Sequence, residues 1–212
     1  MSKNSKEHKK DPHYKLSKKE GYRARSAYKL LDIEKRYHIF KRAFYILDIG
    51  SNPGSWLQVA KKIAEENLTK YKDNYYHRDH YKIMGVDIKK ISPIEGIEFV
   101  RMDATNNEFQ EVVNNYFGDQ LDLIISDASI NKSGNRFSDQ ARQFNLCFKI
   151  LNFAIRNLKP KGNFVVKVFQ GADFDSFYKR MKKYFTLVKS YKPKATAKKS
   201  SEIYLIGLKK RN

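Results

Sequence analysis

The sequence predicts an α/β protein, a mostly parallel sheet with helices on both faces. Three observations predict it. Short apolar runs alternate with segments of helical spacing along the chain. Several runs, such as Phe164-Val165-Val166, are apolar throughout, as in strands covered on both faces. The runs also stop abruptly at glycine or aspartate, which punctuates strand ends.

Each element follows in order. Residues 1–10 read as a disordered basic arm and 11–212 as one domain. Asp11-Pro12-His13-Tyr14 opens an ordered lead-in, and Ser26 is placed to cap a helix with Ala27, Leu30, Leu31 and Ile33 on its apolar side. Phe44–Ile49 is the first strand. Asp48, Gly50 and the turn Asn52-Pro53-Gly54-Ser55 follow, and helical spacing then runs over Ser55–Glu66. Strand, glycine turn and helix in that order make a ligand site. Glycine lets the backbone approach a small molecule, and the helix start offers free N–H groups. The turn is neither the phosphate-cradling Gly-x-x-x-x-Gly-Lys-Ser/Thr nor the dinucleotide Gly-x-Gly-x-x-Gly. Residues 67–81 are polar and aperiodic and read as a surface insertion. His77 and His80 there have no further ligand cluster, so no metal is expected.

Strand two, Ile83–Val86, ends at Asp87. Strand three, Ile97–Met102, ends at Asp103. After a helix at Glu108–Phe117, strand four, Leu121–Ser126, ends at Asp127. A long helix over Asp139–Leu158 turns Phe144, Cys147, Phe148, Leu151 and Ile155 to one side, and Lys159-Pro160-Lys161-Gly162 breaks it. Asn163–Phe169 is the fifth strand and Phe174–Phe185 a helix. Leu187–Tyr191 and Glu202–Leu208 close the sheet around a basic loop, Lys192–Ser201.

Charge is distributed unevenly. The net +20 sits at the ends: residues 1–44 hold 14 Lys/Arg against 5 acids, and 179–212 hold 12 against Glu202 alone. Residues 45–178 hold 17 of each sign, so the body is neutral. If the two ends meet on one face, they form an electrostatic footprint for nucleic acid. Tyr14, Tyr22, Tyr28, Tyr37, Tyr184 and Tyr191 interleave the basic residues. The lone Cys147 has no internal disulfide partner and is expected to pack as a small hydrophobe. No apolar stretch reaches the ~18 residues of a membrane span. Met1–Lys19 lacks the apolar segment of a secretory signal. The expected location is the cytoplasm, with an organelle or the nucleolus as alternatives. No heptads or large apolar stripe mark a dimer, so a monomer is expected.

Asp48, Asp87, Asp103 and Asp127 all fall at the ends of candidate strands, the edge where open α/β sheets bind ligands. A carboxylate after strand two suits a ribose diol, and Asp103 suits an exocyclic amine on adenine. Any one of the four could be a turn or cap residue; four at one edge is the stronger pattern. Lys167 interrupts Phe164-Val165-Val166-Lys167-Val168-Phe169, and buried lysine is rare without a partner. Either it snorkels to water or it is a partly desolvated amine able to take a proton. Glu202, ringed by positive charge, is expected to stay ionised.

The stretches GYRARSAYKLL, LDIGSNPGSW, GVDI, SDASIN, NFVVKVFQG and SSEIYLIG resemble the FtsJ-type ribosomal RNA 2′-O-methyltransferases, and the likeness runs from about Asp11 to Lys210. The resemblance implies a Rossmann-like class I methyltransferase fold, a seven-stranded sheet with an antiparallel last strand. It also implies S-adenosylmethionine as cofactor and methylation of a ribose in RNA, with a uridine of large-subunit ribosomal RNA expected. The family's Lys-Asp-Lys-Glu tetrad falls on Lys29, Asp127, Lys167 and Glu202. Its cofactor contacts fall on Gly54, Trp56, Asp87, Asp103 and Asp127, with Gly50, Asn52 and Pro53 of the same turn completing the expected pocket. Arg23, Arg25, Lys194, Lys198 and Lys199 are then expected to grip the RNA backbone. The chain departs from the family pattern at Ser55, where a glycine is usual, and at Ile130, where a proline is usual. Alternatives are a transfer RNA anticodon-loop methyltransferase of the same chemistry and an RNA-binding assembly factor without catalysis.

Overall fold

The computed structural model describes residues 12–71, 79–131, 133–197 and 200–212. The expected arm at 1–10, His77, and Lys198 and Lys199 lie outside them. Seven strands form one sheet in the order β3-β2-β1-β4-β5-β7-β6. They are β1 (Tyr45–Ile49), β2 (Lys82–Asp87), β3 (Glu98–Arg101), β4 (Leu121–Ser126), β5 (Leu158–Phe169), β6 (Phe185–Tyr191) and β7 (Glu202–Lys210). Pairing is parallel from β3 to β5, and β7 runs antiparallel to both β5 and β6. Because the chain builds outward from β1 to β3 and then returns to β4, the β1/β4 edge is the switch point where such sheets bind ligands.

The apolar runs are buried on both faces, as their composition requires. Successive residues point to opposite sides. Ile46, Leu123, Val165 and Ile206 meet α2 (Ala27–Tyr37) and α3 (Ser55–Lys70) through Leu30, Ile33, Trp56 and Leu57. Leu47, Ile124, Val166 and Leu205 meet α4 (Phe109–Phe117), α5 (Arg136–Asn157) and α6 (Phe174–Tyr184) through Phe109, Phe144, Leu151 and Phe177. A short helix α1 (Pro12–Lys19) forms the ordered lead-in.

The main departures from expectation each have a physical reason. Ser26 makes no side-chain cap to α2; its hydroxyl instead pairs with Ser55 Oγ at 2.8 Å. Helix α3 continues through Lys70, so part of the expected insertion is helical. Its polar Asn67 is buried because Nδ2 donates to the carbonyls of Phe40 and Ala43. Helix α5 starts earlier, at Arg136, where Asn135 accepts from Ser138 N. Asp139, expected to open that helix, holds the preceding loop through Ser133 N and Gly134 N. Lys159-Pro160-Lys161-Gly162 ends α5 but stays within β5 as an irregularity against β4, with Lys161 at φ 66°. Lys159 is anchored there by an ion pair with the buried Asp122, whose Oδ2 also accepts from Phe44 N and Tyr45 N.

Candidate active site

A cavity of about 470 Å³ opens at the C-terminal ends of β1, β2 and β4, within the usual range for a cofactor pocket. Gly50, Asn52, Asp87, Asp103 and Asp127 line it as expected, with Ile88, Met102 and Leu146 as apolar wall. Each of the two outer carboxylates is oriented by backbone N–H groups. Asp87 accepts from Asn52 N and Lys89 N, and Asp103 Oδ1 accepts from Thr105 N. The other Asp103 oxygen takes no hydrogen bond from the described residues, and a carboxylate offers about four lone-pair sites. These are acceptors suited to the hydroxyls and amine of a nucleoside.

Asp48 does not join them. It lies inside β1, fully buried, with no partner for either carboxylate oxygen among the described residues. Burial, then the charges of Asp127 and Asp87, push its carboxyl well above the usual carboxylate range. Nor do Pro53, Gly54 and Trp56 reach the cavity wall. Trp56 Nε1 donates to Ser26 O, and its ring packs 5.7 Å from that of Tyr204. Protein groups crowd both glycines, although Gly50 also lines the cavity. A Cβ on Gly50 would lie 2.5 Å from Ala128 Cα, and one on Gly54 2.7 Å from Arg23 Nη1. Ser55, the departure from the family turn, also faces away, toward Ser26.

Beside the cavity the four tetrad residues come together. Lys167 is 7% exposed. Its Nζ donates to the Asp127 carbonyl at 2.6 Å and lies 3.1 Å from Asp127 Oδ1. Lys29 Nζ donates to Glu202 Oε1 at 2.5 Å. The sequence reading missed the group that joins these pairs. Tyr204, paired with Lys167 across β5 and β7, is completely buried. Its hydroxyl lies 2.7 Å from Asp127 Oδ1, 3.1 Å from Glu202 Oε1 and 3.3 Å from Lys29 Nζ. Burial and then the two carboxylates push its phenol well above the ordinary value, so it stays protonated. Period two in the strand was the available signal: Tyr204 must share a face with Glu202. Helix α5 braces the same centre from the other side. Gln143 holds Ala128 O and Ile130 N, and Cys147 Sγ donates to Lys167 O. The Cys147 thiol, pushed up to about 12 by burial, is inert packing as expected.

Parts of the two basic ends meet beside α2, while α6, with Lys179, Arg180, Lys182 and Lys183, packs on the opposite face of the sheet. Asp32 of α2 accepts from Tyr191 OH and Lys194 N, both at 2.8 Å. Arg36 lies over the Tyr37 and Tyr191 rings. The interleaved tyrosines therefore clamp basic elements together: Tyr22 and His13 pack on Tyr28, and Tyr37 on Tyr191. Lys194 is exposed and Arg25 half-buried. Arg23, expected on phosphate, instead donates to three backbone carbonyls, at Pro53, Ser92 and Pro93. His80, the described member of the weak histidine pair, lies against Tyr45 OH and Asp79. Among the described residues no three His, Cys, Asp or Glu side chains are grouped to hold a metal, and no helix is long and apolar enough to cross a membrane.

A doubly wound seven-stranded sheet with one antiparallel strand, and a carboxylate-lined cavity at its switch point, define a class I S-adenosylmethionine-dependent methyltransferase. The chain belongs to the FtsJ-like methyltransferase family, whose profile matches residues 22–210. It is 42% identical over 205 residues to the ribosomal RNA large subunit methyltransferase E of Chromobacterium violaceum, covering 95% of this chain and 92% of that one. It is 41% identical over 200 residues to the protein of the same name from Methanothrix thermoacetophila, covering 94% and 72%. A crystal structure assigned as a ribosomal RNA methyltransferase from Plasmodium falciparum superposes with a TM-score of 0.74 at 27% identity, covering 89% of this chain and 98% of that one.

Proposed function

We propose that this chain methylates the 2′-hydroxyl of a ribose, that of a uridine in large-subunit ribosomal RNA, as a cytoplasmic monomer folded as one domain over residues 11–212. The observation that carries the reading is the Lys167 amine, nearly dry and fixed on Asp127, whose side chain also lines the cofactor cavity. Two relatives of about 40% identity are named as large-subunit ribosomal RNA methyltransferases, which supports the substrate class.

Bound S-adenosylmethionine supplies an electrophilic methyl group on sulfur. Asp87 takes the ribose hydroxyls and Asp103 the adenine amine. Lys167 would direct the attacking 2′-oxygen and receive the hydroxyl proton during methyl transfer. Asp127 fixes the direction of that amine. Lys29 and Glu202, held as a pair, set the ribose and the adjacent phosphate in place. Holding both reactants in line supplies much of the acceleration. Arg25, Lys194, Lys198 and Lys199 contact RNA phosphates, so affinity falls with salt at a slope of ~0.7 per contact on single strands.

The test is methyl transfer from labelled cofactor to large ribosomal subunits, free ribosomal RNA and transfer RNA, followed by mapping of the modified nucleotide. The expected product is a 2′-O-methyluridine in large-subunit RNA. Label only in transfer RNA establishes the anticodon-loop reading, and no label on any RNA establishes the binding-factor reading.

A further inference from the structure

Arg23 and Arg25 sit two residues apart in the same basic lead-in, and charge alone assigns both to RNA. The contacts of Arg23 point to a different role. The Arg23 guanidinium donates to Ser92 O at 2.6 Å, Pro93 O at 2.8 Å and Pro53 O at 3.3 Å. Its backbone N donates to Gln58 Oε1, and the Gln58 amide returns a hydrogen bond to Gly21 O. Three carbonyls from two loops converge on one cation. One belongs to the turn between β1 and α3, and two to the connection between β2 and β3. Both loops frame the cofactor cavity: Asn52 lines it from the turn and Asp87 from the end of β2. Asn52 also ties the same two segments on the cavity side, through Asp87 Oδ2 and Lys90 O. The guanidinium fork is suited to this task, since its two terminal nitrogens hold three carbonyls in one fixed plane, whereas a lysine offers a single nitrogen. Gly54 completes the arrangement. A side chain there would occupy the place of Arg23 Nη1.

We infer that Arg23 is a positioning residue for the cofactor site, a brace that holds the Asn52 turn against the Ser92–Pro93 loop so that Asp87 stands where the ribose hydroxyls arrive. It touches neither reactant. The job of this arginine is to preorganise the pocket from the RNA-facing side, and it is not a phosphate contact.

The test compares Arg23→Ala, Arg23→Lys and Arg25→Ala with the unaltered protein. Calorimetry measures S-adenosylhomocysteine affinity, salt titration measures RNA affinity, and steady-state kinetics run to cofactor saturation. Expected for Arg23→Ala is a cofactor Kd raised at least tenfold, with kcat at saturating cofactor within threefold and the slope of log affinity against log salt unchanged. Arg23→Lys keeps the charge but recovers little of the cofactor affinity. Arg25→Ala shows the reverse pattern, a shallower salt slope at unchanged cofactor Kd. A cofactor Kd unchanged in Arg23→Ala, with or without a lost phosphate contact in the slope, overturns the inference. So does full rescue by lysine. Should Arg23→Ala melt before measurement, Arg23→Lys decides by the same two readings. The salt arm rests on the RNA function proposed above and the calorimetric arm does not, so a failure of one is distinguishable from a failure of the other.

Discussion

The active edge has two halves that hold charge in opposite ways. In the half we assign to the cofactor, Asp87 and Asp103 are oriented by backbone N–H groups and open into the cavity. In the amine half, Lys29, Lys167, Asp127 and Glu202 hold one another around a buried phenol. Exposed carboxylates fixed by backbone are free to meet a ligand. Paired charges in a nearly dry setting are already satisfied, and removing one leaves its partner uncompensated. The first half should therefore set how tightly cofactor binds, and the second how fast the methyl group moves. That split can be broken by four measurements.

The largest effect is expected at Lys167. Lys167→Ala should lower kcat by ~10²–10⁴, the usual weight of a positioned proton-transfer group, with S-adenosylhomocysteine affinity within about twofold by calorimetry. Lys167→Arg keeps a cation beside Asp127 but cannot receive a proton at neutral pH. A single-turnover rate near the unaltered value for Lys167→Arg would exclude proton transfer to the amine, and for Lys167→Ala would exclude orientation as well.

On the other half, Asp87→Asn should raise the cofactor KM by roughly 10–100-fold. A hydrogen bond to a charged group contributes about 1.5–3 kcal/mol. At saturating cofactor, kcat should stay within about threefold. A kcat loss that saturation does not repair would mean the two halves are not separable.

Tyr204→Phe tests the link inside the amine half. The ring remains packed on Trp56, and only the hydroxyl between Asp127, Glu202 and Lys29 is lost. One hydrogen bond of about 1 kcal/mol translates to a five- to tenfold drop in kcat, at unchanged cofactor Kd. No drop would show that the two ion pairs act independently.

Legibility in the sequence follows the same division. The cofactor half could be read because strand ends are marked locally: an apolar run followed by Asp87, Asp103 or Asp127 places each carboxylate at one edge. The sheet could be read for the same reason, since apolar runs and helical spacing are local signals. The amine half is assembled from four segments far apart in sequence, and only the family resemblance placed Lys29 with Glu202. Tyr204 escaped notice because a tyrosine in an apolar strand looks like core, and it is core until its hydroxyl is located. The turn glycines misled for a related reason. A glycine reports that something comes close, and here the close groups are Ala128 and Arg23. Arg23 itself shows the limit of charge as a guide: its sign suggests phosphate, and its guanidinium donates to three backbone carbonyls.

The smallest expected effect lies beneath both halves. Asp48 is buried, with no hydrogen-bond partner for its carboxylate oxygens among the described residues, and after burial itself the groups that raise its carboxyl are Asp127 from one half and Asp87 from the other. Its folded pKa therefore stands above its unfolded one, which is about 3.9. Between those two values the native state holds a proton that the unfolded chain has released, so stability falls as pH rises through that window. Below it both states are protonated and the penalty vanishes. Asp48→Asn keeps the shape and cannot ionise. Without cofactor, its melting temperature should exceed that of the unaltered protein by a few degrees at pH 8, given roughly 2–4 °C per kcal/mol for a chain of this size. The advantage should shrink toward zero near pH 4. A difference that does not vary with pH would show that the Asp48 carboxyl keeps its ordinary value. Asp48 would then not sense the charges of the two halves above it.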